Sequence, residues 1–198
     1  MTSQSGPTSP SDALCVINLW GAPSCGKSTL AAGLFYRMKR AGCDTELVPE
    51  AAKDLIHERN LRPFEDQMLI LGEQYRRLWR LHGIYRSAIS DSPLPLCLFY
   101  EERERGLHEA LQKAIWALYG RFRNVNVWIE ASHGWHPHGR RHDAAQARDI
   151  DDHLRAFMRD AGLTVDAVGM DSGDPVEDLW RILVRRCPDI LTPSARMA

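Results

Sequence analysis

The chain has 198 residues, which favours one domain built on one core. Its 44% hydrophobic and 26% charged residues are ordinary for a globular protein, so neither a fibrous nor a compositionally disordered chain is indicated. The formal net charge of -1 excludes a global basic field that would recruit nucleic acid and leaves only a local patch open.

Cys15, Cys25, Cys43, Cys97 and Cys187 are irregularly spaced and form no CxxC pair, which argues for a reducing compartment rather than a disulfide framework. No apolar run is long enough to span a bilayer, so no membrane role is expected. Residues 1–12 are rich in Ser, Thr, Pro and Gly and lack the apolar centre of a signal peptide. They read as a short disordered tail, leaving residues 13–198 as a single domain with a cytoplasmic location expected.

In chain order, residues 14–20 form a nearly continuous apolar run, suited to a strand buried on both faces of a parallel sheet. A glycine-rich loop follows at once. Residues 28–40 then read as a helix, with Leu30, Leu34 and Met38 at four-residue steps and Gly42 just past its end. Residues 45–48 predict a second strand ending at Pro49-Glu50, and residues 51–58 the start of a helix. Residues 63–81 predict a stronger helix, with Met68, Leu71, Tyr75, Leu78 and Trp79 on one side.

Residues 84–90 read as a third strand, ending in Asp91-Ser92-Pro93. Residues 94–100 are apolar and fit either helix or strand. A helix is expected over 104–122 and a strand over 125–129, followed by a loop over 132–142. Residues 143–161 form an amphipathic helix pattern with Ile150, Leu154, Phe157, Met158 and Ala161 on one face. A last strand over 163–168 and a last helix over 175–187 complete the pattern. The expected fold is α/β, a three-layer P-loop NTPase arrangement with a mostly parallel sheet of about five strands and helices on both faces.

The loop reads Gly21-Ala22-Pro23-Ser24-Cys25-Gly26-Lys27-Ser28-Thr29, a Walker A motif between strand and helix. Phosphate binding needs converging backbone N–H groups at a helix start, and Gly21 and Gly26 permit that tight turn. Lys27 suits the β- and γ-phosphates, and the Ser28 hydroxyl suits Mg²⁺. Cys25 reads as a small packing residue beside a lysine that would favour its thiolate.

Phosphoryl transfer also needs an acid for the metal and a group that orients or deprotonates the acceptor. Asp91, at a strand end, suits Mg²⁺ directly or through water, or else caps the segment after it. Glu50 suits the acceptor hydroxyl, or else serves as a first-turn carboxylate. Lys53 and Asp54 read as solvated or substrate-rim charges.

The loop over 132–142 gathers His133, His136, His138, Arg140, Arg141 and His142. It suits a lid whose arginines stabilise transferring charge, a nucleic-acid backbone contact, or a solvated loop. Zinc is disfavoured because no cysteine or acidic partner gives a recognised ligand spacing. Arg121 and Arg123 either extend that basic patch or simply end their helix. Gln67 and Gln74 could pair with a base edge, or are simply exposed helix glutamines.

These motifs together resemble the P-loop kinases of the thymidylate kinase and ribosylnicotinamide kinase type. More narrowly, they are similar to a bacteriophage group with a Gly-Arg lid that includes the 5-hydroxymethyluracil DNA kinases. The resemblance implies ATP binding by Gly21 to Thr29, an acceptor-side carboxylate at Glu50, a metal-side or acceptor-side acid at Asp91 and lid function at Arg140; with Lys27 these are the expected catalytic residues, and Mg²⁺ is expected at Ser28 and Asp91. It implies a γ-phosphate acceptor that is a nucleoside, a nucleotide or DNA containing a modified thymine, and a host cytoplasm if the chain is phage-encoded. Related kinases are often dimers, so a homodimer is an option. Thymidylate kinases usually carry Asp-Arg where this chain has Asp91-Ser92, and His136-Pro137 stands where an Asn-Pro pair is expected. A salvage kinase is the alternative within the class. A P-loop ATPase or switch acting on a protein or DNA partner is the alternative outside it.

Overall fold

A computed structural model of the chain describes residues 13–57, 66–101, 108–131 and 144–193. Five strands are present: β1 (Cys15–Trp20), β2 (Thr45–Val48), β3 (Ser87–Ser90), β4 (Arg123–Glu130) and β5 (Val165–Gly169). The helices are α1 (Lys27–Arg40), α2 (Ala51–His57), α3 (Gln67–Trp79), α4 (Leu96–Glu101), α5 (His108–Tyr119), α6 (Ala144–Asp160) and α7 (Pro175–Arg186). The strands form one sheet in the order β2-β3-β1-β4-β5, and every pair is parallel.

The period of two along β1 divides the core between the two faces of the sheet. Cys15, Ile17 and Leu19 pack with Leu30, Leu34 and Met38 of α1 and with Leu179 and Leu183 of α7. Leu14 and Val16 face the other way, against Ile70, Leu71 and Leu78 of α3 and Leu111 and Ile115 of α5. Trp20 meets Trp128 of β4 and Ile150, Leu154 and Met158 of α6. A continuous apolar strand is therefore what a doubly covered sheet requires.

Several polar side chains of β1 and β4 are paired with one another. Trp20 Nε1 and the Tyr119 hydroxyl both donate to Asn126 Oδ1, at 2.9 and 2.6 Å, and Asn18 Nδ2 donates to Asn124 Oδ1 at 2.9 Å. These bonds tie β1 to β4 beneath the loop that follows β1.

Several elements differ from the sequence pattern. The buried stripe of α3 is Gln67, Ile70, Leu71, Gln74 and Leu78, whereas Met68 and Trp79 are 52% and 39% exposed. The Asp66 carboxylate caps the helix by accepting from the Met68 and Leu69 amides, and that start turns two glutamines inward. Gln67 and Gln74 are thus buried rather than exposed helix glutamines. The third strand is shorter than expected because the Ile84 and Tyr85 amides both donate to Leu81 O, which prolongs the turn after α3. Ile84 is accordingly exposed. The ambiguous apolar stretch is the short helix α4, and Ala161 lies outside α6 and is exposed.

The expected tail over residues 1–12 and the loop over 132–142, with Arg140 and Arg141, lie outside the described residues. All five cysteines are buried and free. Among the described residues, no helix is long and apolar enough to cross a membrane.

Candidate active site

Strand β1 has β3 on one side and β4 on the other, so the chain changes direction of winding at β1. A crevice opens beyond the carboxyl ends of strands at such a point. The loop of residues 21–26 leaves β1 at that place and feeds directly into α1.

The loop depends on backbone conformations that L side chains rarely adopt. Gly21 has φ +144°, and a Cβ there would stand 2.6 Å from Cys25 Sγ and 2.9 Å from Ile129 O. Gly26 has φ +98° and lies against Met170, while Ser24 adopts φ 82° without being glycine. Gly26 is also the N-cap of α1, and no side chain caps that helix end. The first amides of α1 therefore keep their donors for an anion, in a field that the helix dipole makes positive. Lys27 Nζ folds over the loop and donates to Gly21 O at 2.7 Å and Ala22 O at 2.8 Å. Its ammonium is stationed at the loop mouth. Cys25 is buried, as a packing residue should be.

The acids at the next two strand ends converge on this loop. Asp91 follows β3 directly, and its side chain is 4% exposed. Its Oδ2 accepts from Ser28 Oγ at 2.6 Å and from Lys53 Nζ at 2.8 Å. Asp91 does not cap the segment after it, because its Oδ2 accepts from Ser28 and Lys53 and its Oδ1 has no partner. Glu50 follows β2, and its Oε2 lies 3.6 Å from Lys53 Nζ. Burial pushes the Glu50 carboxyl above the ordinary carboxylate range, Lys53 and Lys27 pull it back, and the negative charge of Asp91 adds to the rise.

Gln74 and Arg77 hold this arrangement. Gln74 Oε1 accepts from the Ala51 amide at 2.9 Å, and its Nε2 donates to Ser90 Oγ at 3.4 Å. One buried side chain thus joins the start of α2 to the end of β3, fixing Glu50 relative to Asp91. Arg77 pairs with Asp54, bonds Pro49 O at 3.2 Å and reaches Glu73 at 3.1 Å, which pins α2 to α3. Asp54 is exposed, as a solvated charge should be, and pairs with Arg77. Lys53 is not simply a solvated charge, because it bridges both acids and Ser28. Its position three residues after Glu50 on a helix was the available sequence signal.

Arg121 and Arg123 are not part of this site. Arg123 is in register with Cys15, the first residue of β1, at the amino end of the strands, and pairs with Asp189 at 2.7 Å. Arg121 stacks over Trp79 at 4.8 Å and donates to the Tyr75 hydroxyl at 2.7 Å. Both therefore serve the opposite edge of the sheet from the loop.

The donor set fits a hard divalent cation. Asp91 Oδ1 is buried with no partner, beside the Ser28 hydroxyl, and both are oxygen donors. Among the described residues no group of three or more His, Cys, Asp or Glu side chains could hold a metal alone. A pair of oxygen donors matches Mg²⁺, which takes one or two protein oxygens and completes its shell with water and phosphate oxygens. Ser28 and Asp91 would be its protein ligands.

Residues 16–174 match a family model described as an AAA domain, AAA_28. The chain belongs to this family. The match begins within β1 and ends at the Asp174 that caps α7, so this AAA domain includes the phosphate loop, Glu50, Lys53 and Asp91. The family is of the P-loop NTPase type, whose members bind a nucleoside triphosphate with Mg²⁺. A search of curated proteins found no significant match.

Proposed function

We propose that the protein is an ATP-dependent phosphotransferase that moves the γ-phosphate to a hydroxyl of a nucleoside, a nucleotide or a modified base. The observation that carries this reading is the meeting of Glu50, Lys53 and Asp91 beside Ser28, at the ends of strands adjacent to the phosphate loop. Glu50 gives the site a second carboxylate beside Asp91, available to orient an acceptor hydroxyl. Asp91 is fixed by two hydrogen bonds and suits the metal. Burial raises the pKa of Glu50, which suits a group that takes up a proton.

In this reading, the backbone amides of residues 21–29 and the Lys27 ammonium bind the triphosphate. Bound Mg²⁺ supplies charge neutralisation across the phosphate oxygens. Ser28 and Asp91 hold the metal, and Glu50 accepts the proton of the acceptor hydroxyl while keeping its oxygen in line. Arg140, on the loop over 132–142, stabilises the charge of the transferring group.

The acceptor favoured by the resemblance to the phage kinases is 5-hydroxymethyluracil in DNA, a step in thymidine hypermodification. A salvage role on free nucleosides or deoxynucleoside monophosphates is the variant within this class. The test is incubation with γ-labelled ATP and separate pools of hydroxymethyluracil DNA, nucleosides and monophosphates. Label on the DNA supports the favoured acceptor, and label only on monomers moves the assignment to salvage. Membership in a family described as AAA favours a second reading, an ATPase or switch working on a macromolecular partner. Hydrolysis stimulated by protein or DNA, with no labelled acceptor, would establish that reading instead.

A further inference from the structure

We propose that Lys53 is a built-in cation that holds the metal position of the free protein and gives way when Mg²⁺ and nucleotide bind. The proposal rests on the assignment of Ser28 and Asp91 to the metal. Lys53 Nζ touches Ser28 Oγ, lies 2.8 Å from Asp91 Oδ2 and 3.6 Å from Glu50 Oε2. An ammonium is therefore seated among the oxygens that a divalent ion would take.

The two members of the ion pair differ in freedom. The Asp91 side chain is 4% exposed and also accepts from Ser28, so the carboxylate is fixed. A buried carboxylate without a countercharge is costly, and Lys53 supplies that charge when no metal is present. The Lys53 side chain is 38% exposed on a flexible four-carbon stem, so the cation can leave toward solvent while the anion stays. A divalent ion on Asp91 and Ser28 would repel the ammonium at this distance.

The consequence is that metal entry competes with Lys53. Mn²⁺ serves as the probe, with the unbound ion measured by its paramagnetic resonance signal, on the full chain without nucleotide. Lys53→Met should bind Mn²⁺ at least tenfold more tightly than wild type, and Lys53→Arg, which keeps the charge, should not. Equal affinity in wild type and Lys53→Met would overturn the proposal. Adding Asp91→Asn to Lys53→Met separates this from the metal assignment itself. Loss of Mn²⁺ in the double variant upholds that assignment, and unchanged binding refutes both. If Lys53→Met does not fold, acetylation of wild-type lysines read by mass spectrometry gives an independent test. Lys53 should acetylate faster with ADP and Mg²⁺ than with ADP and a chelator. An equal or slower rate would contradict its displacement.

Discussion

Replacing Asp91 by Asn should abolish metal-dependent function while leaving the fold about as stable as before. The Asp91–Lys53 pair at 2.8 Å has a gross Coulomb attraction of about 6 kcal/mol at an effective dielectric of ~20. Solvent reduces that figure, because the Lys53 side chain is 38% exposed. Against it stands the several kcal/mol needed to desolvate a carboxylate that is 4% exposed and leaves Oδ1 unpartnered. The Asn amide is nearly isosteric, its oxygen can still accept from Ser28 and Lys53, and Lys53 can move to water. The two large terms nearly cancel, so the net change should stay within about 1 kcal/mol of zero. For a chain of this size that is a shift of at most about 4 °C in melting temperature, followed by circular dichroism. The stabilisation that Mg²⁺ with nucleotide gives wild type should vanish in the variant. A fall of roughly 8 °C or more in the unliganded variant would show that Asp91 is a structural ion pair and refute the reasoning.

Gly21→Ala should destabilise the protein by about 2–5 kcal/mol, since left-handed strain and a Cβ contact with Cys25 Sγ at 2.6 Å act together. Chemical denaturation measures this, and a loss under about 0.5 kcal/mol would mean the loop repacks freely. Lys27→Ala should reduce phosphoryl transfer by a factor on the order of 10²–10³, read as initial rates. Glu50→Gln should bind nucleotide normally and transfer slowly. Its stability should follow pH differently from wild type, because the folded carboxyl has a raised pKa. The folded state then binds more protons than the unfolded one, and wild type loses stability as pH rises from about 4.5 through the folded value. The melting temperature of the variant should gain on wild type across that window, and parallel curves would deny Glu50 its shift.

The order of strands and helices was legible because β1 is apolar at nearly every position and the loop after it has few other uses. Glu50 and Asp91 were legible as acids at strand ends, since parallel strands bring those ends to one edge. What the pattern did not reveal depends on side chains meeting across segments. Gln74 sits on a helix like any exposed glutamine, and only the packing of α3 aims it at the Ala51 amide and Ser90. Lys53 looked like a surface charge because its partners come from β3 and α1, 38 and 25 residues away in sequence. Arg121 and Arg123 read either as part of the basic patch or as the end of their helix, and the structure puts them at the amino end of β4, where their partners come from α3 and Asp189.

The most direct measurement of the central claim is the fate of the γ-phosphate when the protein turns over ATP with hydroxymethyluracil DNA and nucleosides present together. The account predicts that most of the label is found as a phosphomonoester on an acceptor, and that Glu50→Gln lowers this fraction. Label recovered entirely as inorganic phosphate, at a rate indifferent to Glu50, would contradict it.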